Sequence, residues 1–264
     1  MSLPIDQDFI WDKSSHYELF VPEKPLAPHS LQVRGNENYG EMFDLLQKAA
    51  AQWDDFFIYT SRPSLTEWEF IPYTRESYAW TQQFSVLWSV IRGAAAQSTQ
   101  QRSATLERYK VSPVATSHKI EGRDAFCDPQ VIERQRIFSK GKVEILFNYA
   151  PQGDEHFLIV PKAHRTDFRD LQRDEFVEAM ESADKIVRHY LSKGLNCYLF
   201  HKTGSWAGQT VPHWHLHIVV VDPSKDFAAK LGVGWRMLFG ARPLPPDILK
   251  GRVEMLQVEL TEFR

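Results

Sequence analysis

Cysteine is scarce in this chain of 264 residues, with Cys127 and Cys197 the only two. Two thiols make no disulfide framework, and a reducing cytoplasm is the compartment that suits them. Long apolar runs are also missing. No stretch approaches the ~20 residues that a membrane span requires, so no membrane partner is expected. There is no excess of positive charge: 31 Lys and Arg stand against 34 Asp and Glu, for a net charge of -3. Such a balance supplies no field to hold a nucleic-acid backbone, and no nucleic-acid partner is expected. Met1 to Lys13 lacks a basic start followed by an apolar segment, so no secretory leader is expected. Repeats and low-complexity tracts are absent. The remainder is ordinary for a globular protein, with 43% hydrophobic and 25% charged residues.

The texture changes along the chain. Five of the eight tryptophans (Trp11, Trp53, Trp68, Trp80 and Trp88) lie before residue 110. Phe43, Leu46, Ala50, Trp53 and Phe57 recur at helical spacing and predict a helix over Glu41 to Phe57. A second helical pattern runs from Thr74 to Tyr109 with a break near Gly93, and its stripe of Tyr78, Phe84, Leu87, Trp88 and Ile91 reads as core or docking surface. Arg62-Pro63-Ser64 marks a turn between them. The proline-containing stretch up to Asn38 reads as an irregular arm. Beyond Lys110 the pattern is mixed. Val143 to Tyr149 and His156 to Val160 read as strands joined by a hairpin-length turn. Asp174 to Leu191 is an amphipathic helix, closed by Gly194 as a left-handed cap. Asn196 to Phe200 is another strand. Asp226 to Leu238 and Pro246 to Leu260 read as terminal helices. Strands paired antiparallel with one long helix between them define an α+β fold.

The densest chemistry lies in Val211 to Val221, where His213, His215 and His217 alternate with Trp214, Leu216 and Ile218. A strand here puts the three imidazoles on one face. Each imidazole carries two polar nitrogens that need partners once buried, which makes three in a row a poor choice for plain core. Surface histidines on a half-exposed strand are the bland alternative, disfavoured by the aliphatic run that follows. Binding of one metal ion by all three is also disfavoured: the outer positions lie ~13 Å apart by strand rise. Just ahead, Gly204-Ser205-Trp206-Ala207-Gly208-Gln209-Thr210 offers small residues and hydroxyls that let backbone N–H groups approach an anion.

Two segments together resemble the histidine-triad (HIT) superfamily of nucleotide hydrolases and transferases. One is Gly208-Gln209-Thr210-Val211-Pro212-His213-Trp214-His215-Leu216-His217-Ile218-Val219. The other is His156-Phe157-Leu158-Ile159-Val160-Pro161-Lys162-Ala163-His164, similar to the family's second strand and its Pro-Lys-x-His turn. The resemblance runs from about Cys127 to Val221, a little over a third of the chain. It implies a HIT-like antiparallel sheet at 111–223 that carries the nucleotide site. A helical, aromatic-rich extension at 1–110 and a helical C-terminal tail at 224–264 lie outside it.

The resemblance also implies roles. His215 attacks the α-phosphorus of a nucleotide to form a nucleotidyl-histidine intermediate, with a neutral ring at the attacking nitrogen. His217 bonds a phosphate oxygen or the bridging atom, and His213 completes the triad. Gln209, Thr210 and the backbone around Gly208 hold the charge that develops on the phosphate oxygens. His156 stands beside the nucleophile, or is a structural histidine. Asn148 falls where the family has an acidic ribose contact. Phe147 and Leu158 wall the base or are plain core. Lys202 or His201 takes the place of a phosphate-binding asparagine. Some relatives bind structural zinc at positions matching Asp124, Cys127, His164 and His213. Here one cysteine is an aspartate, so a zinc site and a lapsed site both stand. The chemistry itself uses imidazole and requires no cofactor. Trp206 caps the pocket, stacks on a base or packs against the extension, which in turn mediates or replaces a homodimer contact.

The expected activity is therefore hydrolysis at the α-phosphate of a nucleoside phosphoramidate or dinucleoside polyphosphate. A nucleotidyltransferase or phosphorylase of the same superfamily is the alternative within the class. A non-catalytic nucleotide-binding or interaction module is the alternative outside it.

Overall fold

In the computed structural model, residues 6–36, 38–60, 65–73, 79–111, 122–225, 231–236 and 240–263 are described. The turn expected at Arg62-Pro63-Ser64, Tyr78 of the aromatic stripe, and parts of the expected helix after Pro223 lie outside them.

The N-terminal stretch is not the helical extension that its spacing predicts. It holds β1 (Ile10–Lys13), β2 (Tyr17–Phe20), β3 (Leu31–Gly35), α1 (Tyr39–Ala50), β4 (Asp55–Thr60) and β5 (Glu67–Tyr73), then α2 (Ala79–Arg92) and α3 (Thr99–Lys110). The expected helix thus ends at Ala50, and Phe57 belongs to a strand. Burial on both sheet faces explains the misreading. Five of the six residues of β4 are buried, so the alternation that marks a half-exposed strand is missing. The break near Gly93 is real: that glycine has φ +87° between α2 and α3.

The second half runs α4 (Pro129–Gln135), β6 (Arg136–Lys140), β7 (Val143–Phe147), β8 (Glu155–Pro161), α5 (Arg173–Ser192), β9 (Asn196–Thr203) and β10 (Leu216–Val221), and α6 (Pro246–Glu259) follows. Residues 231–236 are also helical. In α5, Phe176, Ala179, Met180, Ala183, Ile186, Val187 and Tyr190 are buried, the face read from sequence. Most of these side chains contribute roughly 1.5–3 kcal/mol each by leaving water. Gly194, at φ +77°, closes the helix as expected.

Among the described residues all strand pairs are antiparallel and form one ten-stranded sheet, ordered β1-β2-β3-β5-β4-β9-β10-β8-β7-β6. The order is a palindrome. Each half contributes three strands, a helix and two more strands, and the halves meet where β4 pairs with β9. The α+β expectation holds, and an internal repetition invisible in the sequence organises it. Helices α1 and α5 lie against each other, with Phe43 and Phe176 at 5.2 Å. They cover one sheet face over the main core. The other face carries His156 and His217. Among the described residues no helix is long and apolar enough to cross a membrane.

Candidate active site

Only His217 of the triad lies on a strand, because β10 begins at Leu216. The expected strand start at Val211 is therefore corrected. Pro212 has no N–H for a ladder, the Trp214 N–H goes to the Arg165 carbonyl, and the His213 N–H goes to Val211. All three imidazoles are nonetheless buried, and the His215 and His217 rings are 4.7 Å apart.

The hydrogen bonds assign each ring a tautomer. His156 Nδ1 faces two donors, the Gln152 N–H at 3.0 Å and Asn148 Nδ2 at 3.2 Å, so it accepts. Its proton is then on Nε2, which donates to His217 Nδ1 at 2.9 Å. His217 in turn carries its proton on Nε2. His215 Nδ1 is 2.7 Å from the His213 carbonyl, which can only accept, so His215 donates there and keeps a lone pair on Nε2. Burial holds all three rings neutral, pushing His215 down to about 4, His156 down to about 3 and His217 well below the ordinary range. The result is a bare nitrogen beside an N–H donor, the pair that nucleophilic attack on a phosphate requires.

Several expected roles change. His156 sits against His217 rather than His215, with both nitrogens engaged and no exposed surface. Gln209 does not face the site. Its Oε1 accepts from the Gly204 N–H at 2.9 Å, and its Nε2 donates to the Thr166 and Val211 carbonyls at 2.8 and 2.9 Å. The Gly208 and Gln209 N–H groups bond within the turn as well, to Ser205 and Gly204. Thr210 is exposed and, among the described residues, makes no hydrogen bond of its own. Asn148 spends one N–H on His156 and its oxygen on the Ala150 N–H, which leaves one N–H for a ligand. Phe147 is core, whereas Leu158 lies on the site face with Ile132, Leu146 and Phe126.

The structure separates His201 from Lys202. His201 turns toward the helix side, where Trp214 stands 5.2 Å away. Its Nδ1 donates to the His215 carbonyl at 3.0 Å, and its Nε2 accepts from the Thr203 hydroxyl at 2.7 Å. Lys202 faces the triad side, and burial lowers its pKa to about 8.

The sequence reading missed four residues that arrive from remote segments. Asp55 of β4 accepts from the Trp206 N–H at 2.6 Å, and a Cβ on Gly204 would lie 2.2 Å from its carboxyl carbon. Gln83 of α2 donates to the Trp206 carbonyl. Trp206 thus packs against the N-terminal half. The Gln152 N–H sets the tautomer chain described above. Phe126 stands edge-on to His215 at 5.3 Å. No local pattern announces any of them.

Asp124, Cys127, His164 and His213 do come together, with their ligand atoms all within 4.8 Å of one another. His213 Nε2 faces the Pro161 carbonyl at 2.9 Å and its Nδ1 faces the Asp124 carboxylate at 2.9 Å, while His164 Nδ1 meets the same oxygen at 2.6 Å. Although burial opposes it, hydrogen bonds from Cys127, His213 and His164 hold Asp124 down to about 2. Burial and the neighbouring Asp124 push the Cys127 thiol up to about 11. A donor set of two imidazoles, a thiol and a carboxylate suits a four-coordinate zinc ion.

The sheet and its cluster of buried imidazoles place the chain among enzymes of the histidine-triad type. Comparison with known proteins agrees: the HIT domain model matches residues 130–224, and the chain belongs to the HIT family. It is 30% identical over 118 residues to the adenosine 5'-monophosphoramidase HNT1 of Saccharomyces cerevisiae, covering 42% of this chain and 71% of that protein. To the bis(5'-adenosyl)-triphosphatase of Dictyostelium discoideum it is 32% identical over 107 residues, covering 39% of this chain and 68% of that one. Among solved structures, a uridylyltransferase covers 94% of this chain and 86% of its own at 12% identity and a TM-score of 0.45.

Proposed function

We propose that this chain hydrolyses nucleotides at the α-phosphorus through a nucleotidyl-histidine intermediate on His215. The observation that carries the proposal is the tautomer chain, which leaves a lone pair on His215 Nε2 next to the Nε2–H of His217. His215 Nε2 forms a bond to phosphorus, and the bond from phosphorus to the leaving group breaks with its electron pair going to that group. His217 donates to a phosphoryl oxygen or the bridging atom. Water then attacks phosphorus, releasing a nucleoside monophosphate and the neutral imidazole. The nucleoside lies on the β7/β8 flank, with the free Asn148 N–H on the ribose and Leu158 beneath the base. Two relatives named for a nucleoside phosphoramidate and a dinucleoside triphosphate support the substrate class.

The reading includes a structural zinc held by Asp124, Cys127, His164 and His213. Zinc there would tie the 122–128 turn, and Phe126 with it, to the segment that carries the triad. Charge neutralisation of that cluster is what the ion supplies when bound.

Intact-mass spectrometry after brief mixing with adenosine phosphoramidate and diadenosine polyphosphates tests the proposal. An acid-labile nucleoside-monophosphate adduct is expected on the wild type and not on His215→Ala. Turnover equal in both proteins would refute it.

A further inference from the structure

A run of aromatic rings leads away from His217 on the site face. His217 stacks on Phe200 at 4.3 Å and 17°, Phe200 meets Phe57 at 5.7 Å, and Phe57 stacks on Tyr59 at 6.1 Å and 12°. Phe200 belongs to β9 and the last two rings to β4, so this floor crosses from the triad into the N-terminal half. Above it lies a cavity of about 640 Å³, mouth included, walled by Val86 and Val90 of α2 and by Val233. The Gln83 amide reaches it but donates to the Trp206 carbonyl. Among the described residues Lys202 is the one cation in the wall. It has no carboxylate or hydrogen-bond partner among the described residues. A Cβ on Gly208 would lie 3.4 Å from its Nζ, so the ammonium sits against the glycine loop.

We propose that this cavity holds the leaving group of the nucleotide substrate, and that this group is an apolar, ring-bearing moiety that departs as an oxyanion beside Lys202. The inference rests on the hydrolase reading above, with the nucleoside on the opposite, β7/β8 flank. An ammonium in apolar surroundings that has the Phe200 ring at 5.9 Å in place of a charged or hydrogen-bonded partner is costly, and an anion relieves that cost. A departing amine, neutral once protonated, gains no such charge pairing. A nucleobase in the cavity would leave its polar edge without partners, whereas a plain arene loses nothing there. In the step, the His215 Nε2–P bond forms as the P–O bond to the leaving oxygen breaks. The electron pair stays on that oxygen, which accepts a hydrogen bond from Lys202. Two sources share this chemistry: an aryl carboxylate, from a mixed anhydride with a nucleotide, and an aryl phosphate, from an aryl ester of a nucleoside diphosphate.

The test compares kcat/KM for benzoyl-AMP against acetyl-AMP and for the phenyl against the methyl β-ester of ADP, with adenosine phosphoramidate as the amine-leaving reference. The ring-bearing member is expected to win by about tenfold or more in at least one pair, and that pair names the source. In Val90→Trp, which fills the cavity from its partly exposed side, the ratio is expected to collapse toward one. Lys202→Met is expected to lower turnover of the favoured ester or anhydride about tenfold more than turnover of the phosphoramidate. Ratios near one in both pairs, or equal losses on all substrates in Lys202→Met, overturn the proposal. Binding of the non-hydrolysable benzoyl-sulfamoyl adenosine against its acetyl counterpart, by calorimetry, reads the cavity without turnover. If no substrate is cleaved, the hydrolase reading fails, while tighter benzoyl binding that Val90→Trp abolishes still supports the cavity assignment. Equal binding of the two analogues overturns it.

Discussion

Replacing His156 with phenylalanine keeps a ring in the buried site and removes both of its nitrogens. His217 Nδ1 then loses its donor at 2.9 Å, and the Gln152 N–H and an Asn148 N–H lose their acceptor. A buried group left without its partner costs about 1–3 kcal/mol. For a chain of this size that is a fall in Tm of roughly 2–10 °C. The effect on rate comes from a different source. Nothing in the variant selects the Nε2–H tautomer of His217, so part of the population presents a lone pair where a donor is needed. Deleting a transition-state donor outright costs about 10²–10³ in rate. A mixed tautomer should cost less, about tenfold, equivalent to ~1.4 kcal/mol. Stopped-flow single turnover of adenosine phosphoramidate measures this, and circular dichroism reports that the variant is folded. His156→Gln can still donate an N–H to His217 and is expected to recover most of the rate. A folded His156→Phe that turns over within about twofold of wild type would refute the tautomer argument.

Gly204→Ala places a methyl at φ +89° and 2.2 Å from the Asp55 carboxyl carbon. Denaturant melts should show it losing more than about 2 kcal/mol. Gly194→Ala has similar φ but open space around it, and should lose only about 1 kcal/mol with activity kept. Metal analysis of the purified protein should find about one zinc per chain, falling sharply in Cys127→Ala; chelation should lower the Tm of the wild type alone. Burial raises the Glu69 carboxyl to about 8. An acid whose folded pKa lies above its unfolded value favours folding at low pH, and that contribution fades as pH rises between about 4.5 and 8. Thermal melts across this window should therefore fall more steeply for wild type than for Glu69→Gln.

Periodicity carried the C-terminal half well. In α5 the apolar face is complete over five turns, and β7, β8 and β9 alternate or sit between clear turn signals. It failed where burial is two-sided or where tertiary contacts decide. The strand β5 contains Pro72, which argues against a strand until one sees it paired with Phe56 at the end of the ladder. Strands β1 and β2 have four residues each, too few to show a period. The palindromic sheet order has no counterpart in sequence similarity between the halves, because packing can be conserved in pattern while side chains differ. At the site, the triad was legible from residue type alone. Gln209 was misread because a side chain in a glycine loop can bond either a ligand or the loop, and only geometry tells them apart. His201 and Lys202 are adjacent, and the register of β9 decides which one faces the triad.

The central claim concerns protons on imidazole nitrogens, and nitrogen NMR reads them directly. Long-range proton–nitrogen correlation spectra of protein labelled on histidine, assigned with His156→Gln, His215→Ala and His217→Gln, separate the two neutral tautomers from the imidazolium. At neutral pH the account predicts Nδ1–H with a bare Nε2 on His215, and Nε2–H with a bare Nδ1 on His217. An Nε2–H tautomer or an imidazolium at His215 would contradict it.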